Sequence, residues 1–160
     1  MQQRRFLYIR GAAIFLRKII GHEADNYMEL RSPCGAGIGQ MAYYYDGNVY
    51  TCDEGRMLAE MGMPDFKLGT VQSTYDELMD SHVCKVTCQA SVLEGIPQCC
   101  DCVYHAYCGV CPVVNFAMEK NIYARSANGY KCAIYKGIID TLFEYLYLDN
   151  DVMEIFETWL

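Results

Sequence analysis

The sequence predicts a small, irregular α+β domain, and three observations carry that expectation. An apolar run divided by Asp46-Gly47 predicts a β-hairpin, because that dipeptide suits the tight turn between two strands. The stretch from 84 to 111 holds seven of the ten cysteines, is punctuated by Gly95, Pro97 and Gly109, and is closed by Pro112. Breakers at that density predict a segment without regular structure. Residues 131–148 place Ile134, Ile138, Leu142 and Tyr145 at helical spacing, which predicts one long helix. With 160 residues, the chain is long enough to bury a core without crosslinks.

In chain order, residues 4–20 read as a helix with Phe6, Ile9, Ala13, Leu16 and Ile20 on one face, weakened by Gly11 and stopped by Gly21. A polar connection, His22 to Asn26, follows. Residues 32–39 are nearly all small, so their glycines allow the backbone to approach a neighbour closely. Met41 to Cys52 form the hairpin. Residues 54–63 predict a short helix ended by Gly62 and Pro64, and 65–71 an extended segment. Ser73, with Asp76 three positions on, predicts the N-cap of a further helix. Residues 113–121 predict a helical turn that leads toward the long helix. The last twenty-one residues carry six acids and no base, which predicts a solvated or partner-facing tail. These readings divide the chain into a terminal helix (1–30), a central domain (31–148) and an acidic tail (149–160).

Composition narrows the classes. The chain is 52% hydrophobic and 21% charged, which excludes disorder, collagen and coiled coil. No eighteen consecutive residues are apolar, and the first twenty have neither a signal-peptide core nor a small-residue cleavage site. A soluble, cytoplasmic protein with no membrane span is expected. Arg4, Arg5, Arg10, Arg17 and Lys18 give residues 1–20 a charge of +5, which leaves −12 on the rest of a chain whose net charge is −7. An acidic body argues against a nucleic-acid groove, since phosphate binding needs a positive field. The basic start suits a membrane-surface helix or a transit peptide, but its apolar spacing favours a solvated helix packed on a partner.

In a reducing compartment, ten cysteines point to metal or redox chemistry before disulfides. They stand at 34, 52, 84, 88, 99, 100, 102, 108, 111 and 132. Cys99/Cys102 and Cys108/Cys111 form two C-x2-C pairs, as zinc sites do, although five residues between the pairs is short for a zinc ribbon. Soft thiolates in a close run followed by Cys-Pro suit iron–sulfur clusters equally well. Spacing within this run leaves zinc and iron–sulfur open.

The upstream pair adds Cys34, twelve residues, Gly47, four residues and Cys52; downstream come C-x2-C-x5-C-x2-C (99, 102, 108, 111) and a final Cys132. This order resembles the SPASM domain, the C-terminal auxiliary-cluster module of radical SAM peptide and protein maturases. Seven cysteines and one glycine match over residues 34–132; the departure is two residues, not three, between Cys108 and Cys111. The runs Arg31-Ser-Pro-Cys-Gly-Ala-Gly-Ile-Gly-Gln and Tyr50-Thr-Cys-Asp-Glu-Gly-Arg-Met look most like maturases of the His-Xaa-Ser peptide system.

The resemblance implies a SPASM/twitch-like cluster-binding fold preceded by the last helix of a partial TIM barrel. It implies two auxiliary [4Fe-4S] clusters, the first on Cys34, Cys52 and Cys111 and the second on Cys99, Cys102, Cys108 and Cys132. Relatives with a complete first cluster carry a further cysteine between the positions of Cys34 and Gly47, and this chain has none there. Either one iron is open, or Cys84, Cys88 or Cys100 supplies the bond; the competing reading of each is a buried, unliganded thiol. Cys84-x3-Cys88 looks like the start of the loop that binds the SAM-cleaving cluster, but Ser91 holds the third position and does not replace a thiolate. Asp53 occupies the place of an aspartate that accepts a proton in sulfatase-maturing relatives, while capping with Glu54 or pairing with Arg56 is the preferred reading.

Two further readings rest on the residues alone. His105 is a candidate iron ligand set against a solvated loop histidine, and Tyr43, Tyr44 and Tyr45 are candidate electron relays set against simple packing.

The chain lacks the C-x3-C-x2-C triad that cleaves S-adenosylmethionine, so enzyme activity is expected only of a full-length protein. The resemblance implies the C-terminal part of a maturase whose clusters relay electrons and help position a ribosomally made peptide. Its implied partners are the N-terminal barrel, which binds S-adenosylmethionine, and a reductase, flavodoxin or ferredoxin as donor. The alternatives are a free-standing iron–sulfur electron-transfer protein and a zinc-binding interaction module.

Overall fold

The computed structural model describes residues 7–21, 27–123, 129–148 and 150–160, together an α+β arrangement. Arg4, Arg5, Phe6 and the polar connection at 22–26 lie outside the described residues. Seven α-helices and one three-stranded antiparallel sheet are seen among the described residues.

The first helix, α1 (Arg10–Ile19), buries Ala13, Phe15 and Leu16, while Ile9, expected on the apolar face, is 49% exposed. A 3-10 turn, Met28–Leu30, leads into the small-residue loop. Gly35 and Gly37 take positive φ there, and a Cβ on Gly37 would stand 3.0 Å from the Cys84 sulfur. The backbone therefore approaches α4 (His82–Ala90), which is the close neighbour that the glycines allow.

The hairpin forms as expected, with β1 (Ala42–Tyr43) paired to β2 (Asn48–Tyr50) around Gly47 at φ +81°. Asp46 accepts hydrogen bonds from both the backbone and the side chain of Asn48, which pins the turn. The expected extended segment supplies a third strand, β3 (Lys67–Thr70), on the other edge of β2. Between them runs α2 (Asp53–Glu60), terminated by Gly62 at positive φ.

Three local expectations are corrected. The cap of α3 (Tyr75–Asp80) is Thr74, not Ser73, and it forms a full capping box with Glu77 instead of the short-armed version with Asp76. Thr74→Ala is expected to cost about 1 kcal/mol, read as a shift in the denaturation midpoint with an unchanged m-value. Residues 84–90, the start of the stretch expected to be irregular, belong to α4, because Ser81 caps it through the Cys84 N–H and no Gly or Pro interrupts it. Only the stretch beyond it is irregular, wound through 3-10 turns at Leu93–Gly95 and His105–Tyr107 before α5 (Pro112–Glu119).

The long helix is α6 (Tyr130–Leu148), but it turns Tyr135, Ile139 and Leu142 inward. Ile134 and Tyr145 are 38% and 52% exposed. Its sequence is apolar on nearly every side, so spacing alone does not set its rotation. The last segment forms α7 (Asn150–Glu157), and Phe156 and Trp159 are buried. They close one core with Ala13, Phe15 and Leu16 of α1 and Tyr135, Ile139 and Leu142 of α6, with Phe15 edge-on to Tyr135 at 5.3 Å. A second cluster packs Phe66, Leu58 and Val113 around Cys34 and Cys52, so apolar burial holds the hairpin region against α5. Among the described residues, no helix is long and apolar enough to cross a membrane.

Candidate metal centre

All ten cysteines are free thiols, and seven of them fall into two groups. The first group is Cys34, Cys52 and Cys111. The Gly37 N–H donates to the Thr51 carbonyl at 2.7 Å, and the Thr51 N–H donates to the Phe66 carbonyl at 3.0 Å. This ties the loop after Cys34 to the end of β2, where Cys52 caps α2 by accepting from the Gly55 N–H at 3.4 Å. Cys34 is held through its own N–H, donated to Ser91 Oγ at 3.2 Å. Cys111 is the N-cap residue of α5, followed by Pro112. The three thiols border one cavity of about 260 Å³, shared with Tyr27, Glu29, Gln40, Asp53 and Glu54.

The second group is Cys99, Cys102, Cys108 and Cys132. Successive turns bend the loop on itself: the Cys99 N–H donates to Ile96 O, the Cys102 N–H to Cys99 O and the His105 N–H to Cys102 O, at 3.0, 3.2 and 2.9 Å. Cys132 reaches this loop from the first turn of α6. Cys99, Cys108 and Cys132 border a cavity of about 170 Å³, and the same three with Cys102 border an adjoining recess. Cys111 borders the first cavity and the larger part of the second, so it stands between them.

Burial pushes the Cys52 thiol up to about 12, with the Glu54 carboxylate adding to the effect. It likewise pushes Cys99 up to about 11, with Cys108 and Cys132 as the next causes, and it raises Cys108 and Cys111. Burial thus favours the protonated form of these four thiols, and a metal must displace those protons to bind them. Among the described residues, no three His, Cys, Asp or Glu side chains converge as a single-ion site. Tetrahedral zinc needs sulfurs about 3.8 Å apart, from a Zn–S bond of about 2.3 Å. Here thiols, which are soft donors, stand on the walls of two cavities.

A polar bridge joins the two cavities. Glu29, on the wall of the first, accepts from Tyr135 Oη at 2.8 Å and pairs with Lys131 Nζ at 2.6 Å. Tyr135 and Lys131 are on the wall of the second. Burial opposes ionisation of Glu29, but the donors Lys131, Tyr135 and Tyr27 outweigh it and hold the carboxyl below its usual range. A depressed carboxylate stabilises the fold above its unfolded pKa, and that stabilisation is lost as pH falls through the folded one. Glu29→Gln is expected to cost about 2 kcal/mol at pH 7. The gap between variant and wild type closes below the ordinary carboxylate pKa of 4.5, which urea titrations at several pH values measure. Neither Glu29 nor Tyr135 was singled out from sequence, because partners 106 positions apart leave no local signal.

The remaining candidates fall outside the thiol sets. Asp53 borders the first cavity, but its carboxylate is paired with Arg56 at 2.8 Å and its side chain is 65% exposed. His105 borders the recess, with Nε2 3.6 Å from Glu94 Oε1. Tyr44 stacks edge-on to Tyr45 and lies under the Arg56 guanidinium, while Tyr43 and Tyr45 are exposed. Cys84 is buried with Val49, Leu68 and Leu78. Cys100 is exposed, and Cys88 lies on α4; neither borders a cavity that holds the thiol sets. Ser91 is fully buried and holds the Cys34 backbone, a structural task unrelated to metal ligation.

No family model matches the chain, and neither does any curated protein or solved structure.

Proposed function

We propose that the chain is the C-terminal, auxiliary-cluster part of a radical SAM peptide maturase, binding two [4Fe-4S] clusters that relay electrons and help position a ribosomally made peptide. One observation carries the reading: Cys34, Cys52 and Cys111 border one cavity, while Cys99, Cys108 and Cys132 border a second together with Cys111, and an adjoining recess together with Cys102. These are the two sets implied by the SPASM resemblance of the sequence, with Cys111 on the walls of both cavities.

When bound, each cluster supplies a one-electron acceptor and donor. The residues of this chain hold it and set its surroundings. Cys52 and Cys111 stand at helix N-termini, where the helix dipole offsets part of the burial that raises both thiols. Cys111, between the cavities, keeps the two centres adjacent, and the Glu29, Lys131 and Tyr135 bridge fixes α6 beside the first cavity. The apolar clusters around Cys34, Cys52 and Cys99 keep water from the sulfurs. On this reading the radical chemistry of S-adenosylmethionine belongs to a barrel outside this sequence, which itself has no C-x3-C-x2-C triad.

Anaerobic reductive titration of the reconstituted full chain, followed by EPR, tests the reading. Two reducible centres close enough to broaden one another are expected; a protein that accepts no electrons contradicts it.

A further inference from the structure

The helix α6 carries a second apolar face that faces solvent. It turns Tyr135, Ile139 and Leu142 into the core with α1 and with Phe156 of α7. On another side, Tyr130, Ile134, Gly137, Thr141, Tyr145 and Leu148 follow one another at intervals of three and four residues, and all six are exposed. At 3.6 residues per turn they fall within about 80° of the helix surface. None of them is charged, and Glu144 stands only at the margin of the stripe. An uncharged stripe along the whole length of a water-facing helix marks a docking surface.

The pattern of the stripe says what covers it, because it is symmetric about Thr141. Ile134 and Leu148 stand seven positions to either side of Thr141, and Gly137 and Tyr145 four positions to either side. A second copy of α6 laid antiparallel across Thr141 therefore brings Tyr145 level with the partner copy's glycine at 137, and Leu148 level with its isoleucine at 134. Each match occurs twice, as a two-fold interface requires. Gly137 leaves room for the ring: a Cβ there would meet nothing within 4 Å beyond the helix's own backbone. Glycine inside a helix costs stability relative to alanine, and no close neighbour within the chain calls for it. At the centre, Thr141 Oγ1 donates to the Gly137 carbonyl at 2.7 Å, so no unpaired hydroxyl is desolvated there. Charge sets the direction. Lys131 and Lys136 lie in the first half of α6, Asp140 and Glu144 in the second, so antiparallel copies place unlike halves and opposite helix ends side by side.

We propose that this face of α6 is a self-association surface, on which a second copy of the chain packs its own α6 antiparallel across Thr141. A contact of one helix pair lies at the low end of specific interfaces, so the dimer is reversible on dilution.

Sedimentation of the full chain over a concentration series, in reductant so that its ten thiols do not crosslink copies, tests this. The mass is expected to rise from 18.3 kDa toward twice that value and to fall back on dilution. Ile134→Glu and Leu148→Lys should each weaken association by about tenfold. An equimolar mixture of the two should restore it, since the antiparallel register sets the new carboxylate level with the new ammonium. Gly137→Leu should also weaken association while raising the melting temperature of the dilute monomer, a pair of opposite effects that a purely structural glycine would not give. A mass that stays at one copy across the series, or climbs past two, overturns the proposal. So does a dimer indifferent to Ile134→Glu, which places the contact elsewhere, and so does a mixture that stays monomeric, which excludes the register. The wild-type series remains decisive where a variant does not fold.

Discussion

Cys111→Ala is expected to lose about half of the bound iron and sulfide while the second centre stays intact. The expectation follows from position: Cys111 holds the N-cap position of α5 on the wall of the first cavity, which it shares with the hairpin cysteines, and it is the only member of that set contributed by the C-terminal thiol run. With it gone, the first centre keeps Cys34 and Cys52 alone, too few to retain a cubane. Cys52→Ala should remove the same EPR signal, and Cys132→Ala the other one. Because metal binding stabilises the native state, the variant's melting temperature should fall in the loaded protein and change much less in the metal-free one. Since Cys111 also borders the second cavity, the competing result is informative: loss of the Cys132-dependent signal in Cys111→Ala would move it to the second centre.

Gly109→Ala should be the most damaging change that touches no ligand. A Cβ there would overlap the Glu29 carbonyl oxygen and stand 2.7 Å from the Glu29 carbonyl carbon and 2.8 Å from Leu30 Cα. All three are backbone atoms, which cannot rotate away as a side chain can. Leu30 is buried in the core with Leu16 and Ile139, so the 3-10 turn cannot retreat without opening that core. Overpacking against fixed backbone puts the cost on the order of 3 kcal/mol. The same strain separates Glu29 from Lys131 and Tyr135 and shifts Cys108 and Cys111 on either side of Gly109, so cluster uptake at both centres should fall. Chemical denaturation of the metal-free variant and its iron content after reconstitution measure the two effects. A stable variant that loads normally would show that the approach of the two segments is looser than described.

Elements whose signal is local were legible in the sequence. Asp46-Gly47 specifies its turn and Gly62 its helix stop. Features decided by distant partners were not. The rotation of α6 depends on Glu29 drawing Tyr135 inward and on α1 covering Ile139, neither of which the apolar sequence of α6 encodes. The acidic end of the chain read as a tail because its charges outweigh two large apolar residues in any count, yet Phe156 and Trp159 bury against α1 and α6. At the site, the expected fourth cysteine could be noticed only as missing; that Gln40 borders the cavity became visible once the loop closed on Gly35 and Gly37.

The central claim is that these thiols hold two iron–sulfur centres. Metal and acid-labile sulfide analysis of the full chain, isolated or reconstituted without oxygen, tests it most directly. The account predicts a brown protein with about eight iron and eight sulfide per chain, as two [4Fe-4S] clusters require. A colourless protein with stoichiometric zinc and no sulfide would contradict it.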